Sequence, residues 1–207
     1  MSPRPPLHHP SEDALLAYAG GQADAHLRLL VEVHLEACEA CAAEAGALAE
    51  PGGALLRALA PASVPSDLFA RIQAALPAQA SGDGSLPPSV ARLLPAAPAR
   101  RWRGVLKRGI RYLELLEGAG RNSALYLLHL QDGAAFPDHA HAGLEEAVLL
   151  AGGARDGATD LEPGDWHAMA PGTRHAPRAR AGEDCWLLVR VEGGLAFRGW
   201  RGLVSSR

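Results

Sequence analysis

Pro137-Asp138-His139-Ala140-His141-Ala142-Gly143-Leu144-Glu145-Glu146 is the stretch on which the fold turns. Its two histidines alternate, and residues two apart on an extended strand face the same side. Gly143 then lets the chain bend before the carboxylates. Further on, Pro171-Gly172-Thr173-Arg174-His175 brings a third imidazole after a turn. Three imidazoles and a carboxylate suit Zn, Fe, Mn or Ni, and this spacing alone does not choose between Glu145 and Glu146. His167 is a rival ligand that also fits a wall position.

The surroundings agree with strands. Short apolar runs at 110–116, 124–130, 147–151 and 186–191 are separated by Gly, Pro and Asp turns. That pattern predicts an all-β sandwich or barrel over residues 101–207. The run LYLLHL at 125–130 also fits a helix by propensity. Residues 77–100 hold five prolines and the string Ser81-Gly82-Asp83-Gly84-Ser85. This composition marks a linker, placed at 81–100.

Upstream the chain reads as helices. Ser11 is an N-cap for a helix at 11–20, with Glu12 and Asp13 suiting its positive end. An Ala/Leu/Glu-rich run predicts one long helix over 23–49, closed by Pro51-Gly52-Gly53, with a short helix at 54–60. A last helix at 66–76 has Ser66 as N-cap and an apolar stripe of Leu68, Phe69, Ile72, Ala75 and Leu76. The expected architecture is a zinc-binding bundle of three to four helices in residues 1–80, followed by the β domain.

The bundle carries its own ligand cluster, His34-x3-Cys38-x2-Cys41. With each helical residue turning roughly 100°, the three side chains would project from one face of the long helix. Structural zinc takes four N/S ligands, so a fourth is needed, and His8 or His9 can supply it if the first helix packs back. Glu36 and Glu39 lie off that face. The alternative is a redox pair of cysteines, since in a reducing compartment a C-x2-C pair is metal-bound or redox-active rather than a structural disulfide. Cys185 stands alone, and a lone buried cysteine is usually a small core hydrophobe.

Of 207 residues, 48% are apolar, enough for a core in each half. No apolar run is long enough to span a membrane and no signal peptide is legible, so a soluble cytoplasmic protein without membrane contact is expected. Residues 1–80 carry nine acidic and four basic residues, a net of −5, and the remainder carries +2. The acidic half argues against nucleic acid and suits a basic protein partner. Arg100, Arg101, Arg103, Lys107, Arg108 and Arg111 cluster, but without a recognition-helix pattern a solvated surface or a contact with the acidic half is the better reading than direct nucleic-acid binding.

Two resemblances add to this. His8-His9-Pro10-Ser11-Glu12-Asp13-Ala14-Leu15-Leu16-Ala17-Tyr18, followed by His34-x3-Cys38-x2-Cys41, resembles the N-terminal domain of the zinc-binding anti-sigma factors, with ligand pattern H…H-x3-C-x2-C. His139-x-His141-x3-Glu145 and Gly164-Asp165-…-Pro171-Gly172-x2-His175 resemble the two cupin metal motifs, although Pro171 directly precedes Gly172 where the motif has a residue between. The order, length and both motif sets together are similar to the ChrR type of zinc anti-sigma factor. The resemblance implies His9 as the fourth zinc ligand, Glu145 as the cupin carboxylate, and zinc as the first choice in the cupin. It implies an extracytoplasmic-function sigma factor as partner, held away from RNA polymerase with help from Leu68, Phe69, Ile72 and Leu76, a stripe that reads equally as ordinary core. It implies release under singlet oxygen or organic peroxide stress, for which the cupin is needed. In that family a C-x-C pair near Cys185 is linked to the response; here Cys185-Trp186-Leu187 lacks the second cysteine, which weakens that redox route. The alternative function is a cupin metalloenzyme of dioxygenase type, with the helical half as a docking appendage.

Overall fold

The computed structural model describes residues 4–75, 102–104, 109–116, 123–197 and 203–204. The expected linker at 81–100 lies outside them, as do Leu76 and four residues of the basic cluster. Four helices come first: α1 (Glu12–Ala19), α2 (Ala25–Ala37), α3 (Glu39–Arg57) and α4 (Leu68–Ala75). Thirteen strands follow among the described residues: β1 (Arg103–Gly104), β2 (Ile110–Leu116), β3 (Ser123–Leu130), β4 (His139–His141), β5 (Glu145–Ala151), β6 (Ala154–Asp156), β7 (Thr159–Leu161), β8 (Trp166–Met169), β9 (Arg174–His175), β10 (Arg178–Ala179), β11 (Cys185–Glu192), β12 (Leu195–Phe197) and β13 (Leu203–Val204).

Ser11 caps α1 as expected, its hydroxyl accepting from the Ala14 amide at 3.2 Å. The long helix is corrected. It breaks at Cys38, which is extended (φ −125°, ψ 99°) and both closes α2 and opens α3. No Gly or Pro marks the break, so local propensity favours continuation and the packing of the cysteines overrides it. His34, Cys38 and Cys41 therefore do not share one helical face. The expected stop at Pro51 also fails, because α3 runs on to Arg57 and absorbs the short helix. Pro51 leaves the Ala47 carbonyl without its amide partner, but Ala47 is exposed and water can serve it.

The strands are all antiparallel. One sheet runs β1-β2-β3-β11-β5-β8, a second runs β13-β12-β4-β9, and β10-β6-β7 form a small third sheet. The four long runs appear as β2, β3, β5 and β11, within one or two residues of expectation. LYLLHL is a strand whose two faces are both buried. Leu128 and Leu130 face the interior of the sandwich with Leu149, Leu187 and Val189. Leu125 and Leu127 face outward with Leu113, Val148, Leu150 and Leu188, and there meet Leu29, Leu30, Val31 and Val33 of the helical half. A strand buried on both faces reads as a continuous apolar run, which is why propensity alone was ambiguous.

Helices and sheet thus share one core. Leu30 of α2 is fully buried within it. Leu30→Ala is expected to cost about 2–5 kcal/mol, read as a lower urea midpoint at unchanged slope.

Candidate metal centres

Among the described residues three groups of ligand-type side chains assemble: two of four members each, and a smaller one of Asp156, His167 and His175 that shares His175 with the second. In the helical half, His9, His34, Cys38 and Cys41 bring one ligand atom each to within 4.8 Å of one another. The His9 Nδ1 lies 3.5 Å from the Cys38 Sγ and 3.3 Å from the Cys41 Sγ. Tetrahedral zinc with N and S ligands would space them by about 3.5 Å. His34 sits on α2, Cys41 in the first turn of α3, and Cys38 at the break between them. The break is what brings the sulfurs to His9, which lies ahead of α1.

The histidine tautomer supports a metal. His34 donates its Nδ1–H to the Gly164 carbonyl at 2.7 Å, which leaves Nε2 as a lone pair. That Nε2 is buried with no hydrogen-bond partner. Burial, foremost, pushes the His34 pKa down, despite the Gly164 contact, so the ring stays neutral as a ligand must. The Cys41 thiol is pushed up to about 12 by burial and by the neighbouring Cys38. A cation among these atoms would relieve both conditions, and the donor set fits one.

In the sandwich, His139, His141, Glu145 and His175 form the second group, all buried. β4 carries the two alternating histidines and pairs with β9, which sets His139 opposite His175. Each imidazole is oriented through Nδ1: His139 to the Pro137 carbonyl at 2.8 Å, His141 to Thr173, and His175 to Asp156 Oδ2 at 2.7 Å. The Nε2 atoms therefore converge, and those of His139 and His175 stand 2.9 Å apart. Two lone pairs at that distance repel unless a cation or proton lies between them, so this set also fits a metal. Glu145 is 3.2 Å from the His175 Nε2 and 3.6 Å from those of His139 and His141. Burial would raise its pKa, but the His139 and His175 imidazoles beside it win and hold it down at about 2. Burial lowers His175, yet Asp156 and Glu145 bring it up to about 9.

The structure separates the two adjacent carboxylates. Glu145 faces the cluster, whereas Glu146, on the opposite side of β5, pairs with Arg190 Nη1 at 2.8 Å. His167 stays out of the four-ligand set and bonds Asp156 Oδ2 at 2.8 Å. Asp156 was missed by sequence reasoning, because in Arg155-Asp156-Gly157 it reads as a turn residue. A largely apolar cavity of about 490 Å³ opens beside the cluster, walled by Tyr112, Tyr126, Leu128, Phe136, Leu187 and Phe197.

Cys185 is fully buried on β11, and burial pushes its thiol up to about 12. The apolar stripe of α4 is not core: Phe69 is 70% exposed and Ile72 49%. Of the basic cluster, Arg111 lies over the Trp102 ring at 4.9 Å and donates to His129.

Comparison with known proteins agrees with this arrangement. Residues 91–193 match the family model of the ChrR cupin-like domain. The anti-sigma-E factor ChrR of Cereibacter sphaeroides is 33% identical over 202 residues, covering 92% of each chain. The crystal structure of Rhodobacter sphaeroides SigE in complex with the anti-sigma ChrR matches with a TM-score of 0.69 at 33% identity, over 89% of this chain and 98% of that one. With helices bearing a His/Cys cluster ahead of a cupin-like sandwich, and with this likeness along nearly its whole length, the chain belongs to the ChrR-type anti-sigma factor family.

Proposed function

We propose that this chain binds and inhibits an extracytoplasmic-function sigma factor through its helical half, in the cytoplasm. The observation that carries the reading is the full-length likeness to ChrR, a protein solved in complex with SigE. Exposed large apolar side chains support it: Leu55 and Leu56 at the end of α3, Leu59 just past it, and Phe69 and Ile72 on α4. Exposed side chains of that size suit a protein contact, and the acidic charge of residues 1–80 suits a basic partner. Leu68 and Leu76 complete the proposed grip. No helix among the described residues is long and apolar enough to cross a membrane.

The division of labour follows the same reading. Residues 1–80 act as the grip, 81–100 as linker and 101–207 as the cupin. His9, His34, Cys38 and Cys41 hold zinc, and His139, His141, Glu145 and His175 hold a second metal, with zinc the first choice. Bound zinc would keep both sulfurs as thiolates and tie α2 and α3 to the chain ahead of α1. Oxidation of Cys38 and Cys41 to a disulfide would pass two electrons to a peroxide, which is reduced to an alcohol and water. The ligand set would then be broken and the grip loosened. Cys185, enclosed and with a raised pKa, is poorly placed to compete in that chemistry.

Phe69→Glu combined with Ile72→Glu tests the grip. Each side chain is exposed, so the fold should survive, while loss of buried apolar anchors costs about 2 kcal/mol or more of binding. Titration calorimetry with the sigma factor should show affinity falling by about 30-fold or more. Unchanged affinity would remove Phe69 and Ile72 from the interface.

A further inference from the structure

We propose that Asp165, a residue of the sandwich, is a positioning residue for the four-ligand site of the helical half. It acts through the backbone just ahead of His9. The proposal rests on reading His9, His34, Cys38 and Cys41 as a metal site. His9 is exposed and precedes α1, so no helix of its own orients it. What fixes it is a strap. The Asp165 Oδ1 accepts the Leu7 amide at 2.6 Å and the His8 amide at 3.0 Å, and the Trp166 amide donates to the His8 carbonyl at 2.9 Å.

The strap is anchored in a rigid turn. Asp165 is 1% exposed. Its second oxygen accepts the Glu162 amide at 2.8 Å, and its own carbonyl accepts the Leu149 amide at 3.1 Å. An ionised carboxylate accepts through both oxygens and donates nothing, which suits three amides converging from two sides. An asparagine has one accepting oxygen and would set an NH2 against an N–H on the other side.

The neighbouring residue completes the arrangement. Gly164 presents its carbonyl to the His34 Nδ1–H at 2.7 Å. Its φ is +92°, and a Cβ there would stand 2.7 Å from Pro6 Cγ and 2.9 Å from Ala37 Cβ. Only glycine lets the turn come this close to both segments of the helical half. Residues 164–166 of the sandwich therefore orient two of the four ligands, His9 and His34, of a site built on helices. Trp166 also opens β8, whose next residue, His167, lines the cavity beside the second cluster. A displacement of this turn would be felt at the helical site. Outer partners of metal ligands change affinity by about 10- to 100-fold when lost.

The test uses the full-length chain and Co²⁺ as probe, because thiolate-to-cobalt absorption reports only the site containing Cys38 and Cys41. Asp165→Asn should weaken Co²⁺ binding there by about 10- to 100-fold. Leu7→Pro removes the amide donated to Asp165 without altering the sandwich sequence, and should weaken binding in the same direction. It decides alone if Asp165→Asn fails to fold. Affinity at the His139, His141, Glu145 and His175 site, measured in a Cys38→Ser/Cys41→Ser background with Leu7→Pro added, should not move. Wild-type affinity in both variants, with the absorption intact, would overturn the role of Asp165 and leave the metal reading standing. Absence of the thiolate absorption in the wild-type chain would overturn both.

Discussion

Cys38→Ser with Cys41→Ser should abolish metal binding in the helical half and release the sigma factor. The two sulfurs are half of the ligand atoms gathered within 4.8 Å, and hydroxyls are poor zinc ligands at neutral pH. Binding free energy of a structural zinc is on the order of 10 kcal/mol in small domains and is linked to folding. Here the loss is cushioned, because α2 is also held by Leu29, Leu30 and Val33 against the sheet. The expected outcome is a folded sandwich with a loosened α1–α3 region, seen as faster amide exchange there. Metal analysis should show one equivalent fewer per chain. Because burial and Cys38 push the Cys41 thiol up to about 12 in the metal-free protein, metal uptake must displace protons. Affinity should therefore fall as pH is lowered. A serine variant with full metal content would remove Cys38 and Cys41 as ligands.

Arg190→Met should strongly destabilise the fold. Arg190 is 7% exposed and reaches three carboxylates: Glu146 at 2.8 Å, Glu192 at 2.6 Å and Asp24 at 3.2 Å. Asp24 is also the N-cap of α2, accepting from the Leu27 amide at 2.8 Å. The guanidinium thus ties the start of α2 to β11 and β5. Removing one partner of a buried network leaves an uncompensated charge and costs about 3–5 kcal/mol. Glu146 is 5% exposed, and burial already raises its pKa against the pull of Arg190. Without Arg190 the rise should be larger. A carboxyl whose folded pKa exceeds its unfolded one stabilises the fold when protonated and loses that stability as pH rises through the folded value. The deficit of Arg190→Met should therefore shrink as pH falls toward the ordinary carboxylate range, and Arg190→Met with Glu146→Gln should recover much of it. Urea unfolding at several pH values reads both effects. A pH-independent deficit would mean that Glu146 is not the stranded charge.

Much of both candidate ligand sets was legible because metal chemistry demands particular residue types at particular spacings. His139, His141 and His175 could be read from alternation and a turn, and His34, Cys38 and Cys41 from H-x3-C-x2-C, whereas His9 over His8 came from the family resemblance. Residue chemistry alone left Glu145 and Glu146 open and the cupin resemblance favoured Glu145; the structure puts Glu145 with the imidazoles and Glu146 with Arg190. The four long strands were legible because turn residues bound each run. The break at Cys38 was not, since Ala, Leu and Glu on either side favour helix and only the packing of the sulfurs opposes it. Asp156, Asp165 and the Asp24–Arg190–Glu146 network were also hidden. Each joins residues far apart in sequence, and Asp24, Asp156 and Asp165 sit where a turn or cap would place an acid anyway. The shared core of helices and sheet was hidden for a related reason. The outward Leu125 and Leu127 of β3 looked like half of an ambiguous run until α2 was seen to cover them.

The central claim is inhibition of a sigma factor, and run-off transcription tests it most directly. RNA polymerase supplied with the extracytoplasmic-function sigma factor from the same organism should initiate at its promoter. Addition of the metal-loaded full-length chain at equal concentration to the sigma factor should abolish that transcript, while transcription by the principal sigma factor continues. An undiminished transcript in the presence of excess metal-loaded chain would contradict the account.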